Sequence, residues 1–342
     1  MRIATWNVEW FTNLFDDAGN LLEDDGLSGR PGVARRVQAE ALGIVFTAMD
    51  ADAIMVIEAP DGHRRRDGAQ ALETFAARYG LRARKALLGF VNDTQQEIAF
   101  LHDPDALTAV HDPRGEEAPS RGAEGAPRFD GALRIDLDID ATPDIVHWSK
   151  PPLELDVRTA GGFAFRMIGV HMKSKAPHGA RNPDAVMRLA IENRRKQLAQ
   201  GVWLRRRVDA HLAEGEPLVV LGDFNDGPGL DEYEKLFGRS SLEIVMGGEG
   251  EAQLHDPAAR RAMAGPTGAA PASARFWMPD EGRWMETLVD YVMVSPDLMA
   301  RRPRWRIWHP FDDPGCYRVP ELREALLAAS DHFPVTFDFD PA

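Results

Sequence analysis

The chain has 342 residues, 54 of them acidic and 40 basic, for a formal net charge of −14; 44% are hydrophobic and one, Cys316, is cysteine. That length suits one large α/β domain or two average ones with a sizeable core, which excludes disordered and collagen-like architectures. A single cysteine excludes an internal disulfide framework and a thiolate zinc site, and the acidic balance argues against nonspecific coating of polyanions, whose affinity comes largely from Lys and Arg.

Taken in chain order, the hydrophobic pattern predicts strands at Arg2–Val8, Ala53–Glu58, Glu97–Leu101, Leu133–Ile139, Leu153–Val157, Phe163–Val170, Leu218–Gly222, Val289–Ser295 and Val335–Phe339. Continuous apolar runs (Ile54 to Ile57) alternate with strict period-2 patterns (Leu133, Ile135, Leu137, Ile139), so both fully and half-buried strands are expected. Helical periodicity covers Val33–Met49 and a longer stretch from Asp184 to Ala213, with shorter helices at Ala69–Tyr79, Asp231–Phe237 and Glu321–Ala328. Asp16–Gly32, Asp112–Arg128 and Asp256–Arg275 read as loop excursions from one domain spanning residues 1–342, because strands continue on both sides of each. The pattern predicts an α/β protein of packed sheets covered by helices. No run of about 18 apolar residues occurs, so no membrane span is expected. Met1–Asn7 reads as a strand rather than a secretory leader, which makes the cytoplasm the expected location.

Chemistry-bearing residues fall at strand ends. Asn7 and Glu9 follow the first strand, Glu58 ends the second, and His171 follows Arg166–Val170. Asp223 and Asn225 follow Leu218–Gly222, Asp290 opens Val289–Val294, and Asp331 and His332 precede the last strand. Strand ends on a rigid scaffold are where open α/β sheets assemble sites. Carboxylates, amides and histidines converging there suit a hard cation and a phosphate, since Mg²⁺ takes oxygen ligands from one or two carboxylates together with water and substrate. A strand-end Asp or Asn also caps turns, which would account for any one of these residues but not for the set.

In this arrangement the sequence resembles the endonuclease/exonuclease/phosphatase superfamily. The resemblance rests on Thr5-Trp6-Asn7-Val8-Glu9, Val56-Ile57-Glu58, Gly169-Val170-His171-Met172-Lys173-Ser174, Gly222-Asp223-Phe224-Asn225-Asp226, Val289-Asp290-Tyr291 and Ser330-Asp331-His332-Phe333-Pro334-Val335, in the family's order over nearly the whole chain. It implies a four-layer α/β/β/α sandwich of two mixed sheets with divalent-metal phosphoester hydrolysis at one edge. By the same resemblance Glu58 is the principal metal carboxylate, with Asn7 and Asp331 beside it, and Glu9 stands where some members place a second-metal carboxylate. Asp223 would orient and deprotonate the attacking water, Asn225 would donate to the phosphate, and Asp290 would fix His332. Glu97 matches the position that pairs with His171 in the DNase-like branch. Ile57 before Glu58 and Ala59-Pro60 after it depart from the commoner Gln-Glu pairing. Histidines flanked by carboxylates are expected to stay cationic near neutral pH, and Asp223 to stay ionised.

Other signals are weaker. His-Asp-Pro at His102, His111 and His255 suggests turns rather than a His-Asp metal centre. Lys173, Lys175 and His178 suit either phosphate contact or a solvated loop, with Lys173 the candidate substrate ligand. Arg194, Arg195, Lys196, Arg205, Arg206 and Arg207 read as a solvated helix face. Arg301–Trp308 alternates Arg and Trp as a single-strand stacking groove does, but we read it as an edge strand with Trp305 inward. The expected activity is a Mg²⁺-dependent, nuclease-like phosphodiesterase, Mn²⁺ being a possible substitute metal and DNA or RNA a candidate substrate. The alternatives are hydrolysis of a small or lipid-derived phosphoester and, behind that, a non-catalytic binding domain. No protein partner is implied.

Overall fold

Two mixed sheets stack face to face because most of their strands are apolar on both sides. The computed structural model describes residues 1–136, 143–176, 179, 182–227, 238–248, 250–265, 270–279 and 281–342. The first sheet runs β14-β15-β1-β2-β4-β3, from β1 (Arg2–Asn7), β2 (Ala53–Ala59), β3 (Lys85–Leu88), β4 (Glu97–His102), β14 (Arg304–Ile307) and β15 (Val335–Asp338). The second runs β13-β10-β9-β8-β5, from β5 (Leu107–His111), β8 (Leu153–Thr159), β9 (Ala164–His171), β10 (Leu218–Asp223) and β13 (Asp290–Val294). Two small hairpins accompany them: β6 (Leu133–Ile135) with β7 (Asp144–Val146), and β11 (Ala274–Met278) with β12 (Arg283–Thr287).

Period-2 alternation distributes the side chains among three cores. Ile3, Met55, Ile57 and Phe100 of the first sheet meet Leu155, Met167, Val219, Leu221 and Val292 of the second. On the outer face of the first sheet, Trp6, Val56 and Leu101 pack with Leu42 and Phe46 of α1 (Arg35–Met49), Phe75 of α2 (Gly68–Tyr79) and Leu326 of helix Pro320–Ala329. On the outer face of the second, Ile168, Val170, Val220 and Met293 pack with Trp203, Leu204 and Val208 of α3 (Pro183–Ala213). The order is therefore helix, sheet, sheet, helix. Among the described residues no helix is long and apolar enough to cross a membrane.

Several expectations need correction. Asp256–Arg275 is not all loop: it holds helix Pro257–Met263 and the start of β11. Asp256 accepts from the amides of Ala258 (2.8 Å) and Ala259 (2.9 Å), with Pro257 in the first turn, and that capping chemistry outweighs the Ala, Pro and Gly composition. The α3 arginines are not all solvated either. Arg194, Arg205 and Arg207 are buried; Arg207 pairs with buried Glu154 at 2.8 Å, and Arg205 donates to the carbonyls of Val245 (3.2 Å) and Ala252 (2.7 Å). β14 is an edge strand, and Trp305 donates to the Val292 carbonyl across the sheets at 2.8 Å. The helix expected at 231–237, residues 137–139 of a predicted strand, and His178 lie outside the described residues.

Candidate active site

Parallel pairing brings the site together. β1 runs parallel to β2 with its last residue, Asn7, opposite Ile57 and so next to Glu58, and β9 runs parallel to β10 with His171 opposite Asp223 at their ends. β13 runs antiparallel to β10 and starts opposite Asp223, which sets Asp290 beside it. Asn7 joins the two sheets: its Nδ2 donates to Asp223 Oδ2 at 3.1 Å and lies 3.4 Å from Glu58 Oε1.

The backbone at these ends is bent out of ordinary strand geometry. Glu58 (φ 61°) sits in a bulge between Ile57 and Ala59, and Glu9 (φ 48°), Trp10 (φ 59°) and Asn225 (φ 48°) are also left-handed. Non-glycine residues in that region cost of order 1–3 kcal/mol each and cluster where a side chain must be aimed. Before Asp223, Gly222 (φ 135°) is required by contact as well as angle, since a Cβ there would lie 2.1 Å from the Val170 carbonyl oxygen.

Asp223 is the hub. Its Oδ1 accepts from the Asn225 amide at 2.8 Å and its Oδ2 from Asn225 Nδ2 at 3.1 Å, with His171 Nε2 at 3.6 Å and His332 Nε2 at 4.0 Å. Burial pushes its carboxyl up to about 7, and the His332 charge opposes the rise. Burial alone would keep His332 neutral. Asp290, which accepts from His332 Nδ1 at 2.8 Å, and Asp223 together lift it well above the usual imidazole value. Ser273 donates to Asp290 at 2.8 Å and fixes that carboxylate.

Two groups of side chains could hold a cation. Asp223, Asp290 and His332 each bring one ligand atom within 4.8 Å of the others. There, however, His332 Nδ1 is already bonded to Asp290. The other is Glu58 with Asn7 beside it. Glu58 is buried; its Oε2 accepts from the Trp10 amide at 2.9 Å, while among the described residues its Oε1 has only the long Asn7 contact. Among the described residues no Lys or Arg forms an ion pair with it. A buried carboxylate with no direct Lys or Arg ion pair among the described residues, though the Lys150 charge acts on it, and with an amide beside it, fits a divalent cation that prefers oxygen ligands.

Residues 4–332 match the endonuclease/exonuclease/phosphatase family. The chain belongs to that family. Its members are hydrolytic enzymes, generally metal-dependent phosphoesterases. No curated protein matches. Among solved structures, C. elegans TDP2 is 14% identical, with 99% of this chain and 74% of that one covered at a TM-score of 0.50, a likeness of fold. The human Nocturnin catalytic domain is 14% identical over 99% and 94% (TM-score 0.49), and a Bacteroides thetaiotaomicron family protein 14% over 99% and 98% (TM-score 0.49).

Within this family fold, two further expectations change. Glu97 does not pair with His171. Its carboxylate accepts from Asn92 Nδ2 (2.7 Å) and the Asn92 amide (3.2 Å), and burial raises it to about 7. His171 is not a second cation. Burial, with the charges of Lys150 and His332 adding to it, drives its pKa well below the usual value, and its Nδ1 has no hydrogen-bond partner among the described residues. Lys150, which the sequence did not single out, reaches His171 Nε2 at 2.9 Å. Burial lowers it to about 8, so it remains mostly protonated at neutral pH and donates to the neutral ring. The only available signal was a lone lysine in Trp148-Ser149-Lys150-Pro151, directly before β8.

Lys173 is half-buried at the end of β9, its amide donating to Gln200 Oε1 at 2.9 Å. Lys175 instead pairs with buried Asp226 at 2.5 Å, inside the fold. Asp331 lies at the rim, its carboxylate 3.9 Å from His332 Nε2. Glu9 is brought to the same rim, where its Oε2 accepts from the Asp331 amide at 3.0 Å and is ion-paired with Arg30.

Proposed function

We propose that this chain is a divalent-metal-dependent phosphodiesterase of the nuclease-like kind, in which Asp223 positions and deprotonates the attacking water. One observation carries the reading: Asp223 is buried, free of any Lys or Arg ion pair among the described residues, and ringed by Asn7, Asn225, His171 and His332. A carboxylate left proton-accepting near pH 7 inside such a ring suits general-base work.

Glu58, Asn7 and Asp331 would hold the metal, which supplies Lewis acidity toward a phosphoryl oxygen. The Mg²⁺ assignment rests on that donor set, with Mn²⁺ as a substitute. Water oxygen would bond to phosphorus as the bond to the leaving oxygen breaks, Asp223 taking the water proton and the departing alkoxide taking one from solvent. His332, kept cationic by Asp290, donates to a nonbridging oxygen. Asn225 and Lys150 donate to the same charge, with Lys173 nearer the rim. Phosphoryl transfer needs mainly this positioning and charge neutralisation.

A second reading has its own support. Burial of Arg194, Arg205 and Arg207 takes half of the six basic residues of α3 off the surface, and the net charge of −14 leaves the chain acidic. Hydrolysis of a small or lipid-derived phosphoester is therefore the alternative. Bis(p-nitrophenyl) phosphate with Mg²⁺ or Mn²⁺ should be cleaved and chelation should stop it; absence of turnover with either metal would sink catalysis. On a panel of DNA, RNA, phospholipid and sugar phosphate, a nuclease cuts the first two with activity falling steeply with salt. Cleavage of small esters alone selects the alternative.

A further inference from the structure

One face of α3 lies against the loops that leave β9 and β10 at the catalytic edge, and that face carries amides. Asn193, Gln197 and Gln200 stand at helical spacing, so they line one side of the helix. Gln197 is fully buried, and its Nε2 donates to the carbonyls of Lys173 (2.9 Å), Asn225 (3.0 Å) and Phe224 (3.3 Å). Gln200, also buried, accepts from the Lys173 amide, and Asn193 Nδ2 donates to the Ala176 carbonyl at 3.0 Å. Gln197 is itself oriented: its Oε1 accepts from Arg194 Nη1 at 3.4 Å, and the same nitrogen donates to Asp226 at 2.8 Å.

The bend of the β10 loop explains why these carbonyls face the helix. Asn225 is left-handed (φ 48°), which turns its side chain back into the site, where Nδ2 donates to the Met172 carbonyl at 3.1 Å as well as to Asp223. The same turn leaves the Phe224 and Asn225 carbonyls on the α3 side, and the loop after β9 brings the Lys173 carbonyl to the same point. A buried carbonyl without a donor is costly, and one neutral amide serves all three without placing another charge beside Asp226. A strained turn persists only where its surroundings hold it, and Gln197 ties this one to the neighbouring loop and to the helix.

We infer that Gln197 is a positioning residue, which acts on the reaction by setting the Asn225 side chain against Asp223. The inference rests on the phosphodiesterase reading above and requires no assignment of metal ligands. Its test is a double-mutant cycle on the full chain, read as kcat/KM for bis(p-nitrophenyl) phosphate with Mg²⁺ per mole of folded protein. The folded fraction comes from a urea curve on each variant. Gln197→Met, of equal length but without a donor, should lose roughly 10- to 100-fold, as a displaced catalytic group does. Gln197→Ala, which leaves room for water to meet the carbonyls, should fold and lose as much. In an Asn225→Ala background either change should cost less than about threefold, because the group it misplaces is gone. Unchanged activity in folded Gln197→Met or Gln197→Ala overturns the inference, as does an equal loss with and without the Asn225 side chain. Failure of both variants to fold overturns it too, since Gln197 would then serve the fold alone. No turnover by wild type overturns instead the phosphodiesterase reading beneath it.

Discussion

Asp223 ends β10 and Asp226 follows three residues later, both buried, yet they are treated in opposite ways. Asp226 is saturated: Lys175 Nζ at 2.5 Å, Arg194 Nη1 at 2.8 Å, and the Ser241 amide and hydroxyl at 2.7 and 2.6 Å. Burial would raise its pKa, but Lys175 and Arg194 overcome that and hold it below the ordinary carboxylate value. Among the described residues Asp223 has hydrogen bonds and close contacts from amides and histidines and no Lys or Arg ion pair, and burial wins. The first arrangement ties α3, helix Ser241–Met246 and the β10 end together. The second leaves a carboxylate able to take a proton. What separates an anchor from a reactive group here is which cations the surrounding elements supply.

That contrast can be broken experimentally. Asp223→Asn should cut kcat/KM by roughly 10²–10⁴-fold, in the range of a lost general base, with the urea midpoint unchanged or higher because a poorly compensated buried carboxyl is removed. Asp226→Ala should do the reverse, costing about 3–5 kcal/mol of unfolding free energy, because it removes the buried carboxylate that Lys175, Arg194 and Ser241 all meet. If Asp226→Ala proves neutral in a urea titration while Asp223→Asn unfolds, the two roles have been exchanged. His332→Ala should lower turnover on the order of 100-fold or more at saturating metal, with circular dichroism of the folded chain retained.

The smallest expected effect concerns Glu97. Its folded pKa of about 7 lies above the ordinary 4.5, so between those values the native state binds more protons than the unfolded one. Stability therefore falls as pH rises through that window, by at most about 3 kcal/mol. Unfolding midpoints at pH 5 and pH 8 should differ in wild type and converge in Glu97→Gln; an equal difference in both would show that Glu97 does not set it.

The strand-end residues were legible because a parallel strand must end somewhere, and a polar residue after an apolar run marks the place. Asn7, Glu58, His171, Asp223, Asn225, Asp290 and His332 were all marked in that way, and the structure brings them to one edge. What could not be read was set by contacts between distant segments. Glu97 finds Asn92 instead of His171, Lys150 reaches the site from an irregular stretch, and Arg30 sits in a loop whose composition signals only a turn. The burial of Arg194, Arg205 and Arg207 was hidden for the same reason, since a helix sequence does not reveal which carboxylates and carbonyls will face it. Helix Pro257–Met263 is different: its Asp256-Pro257 cap stood in the sequence and was masked by the Ala, Pro and Gly around it.

The most direct test of the account is cleavage of bis(p-nitrophenyl) phosphate at saturating Mg²⁺ by wild type and Asp223→Asn, with a urea unfolding curve taken on each preparation. The account predicts metal-dependent turnover in wild type, a loss of roughly 100-fold or more in the variant, and an unfolding midpoint that does not fall. Equal rates in the two proteins, or a rate loss matched by loss of the folded state, would contradict it.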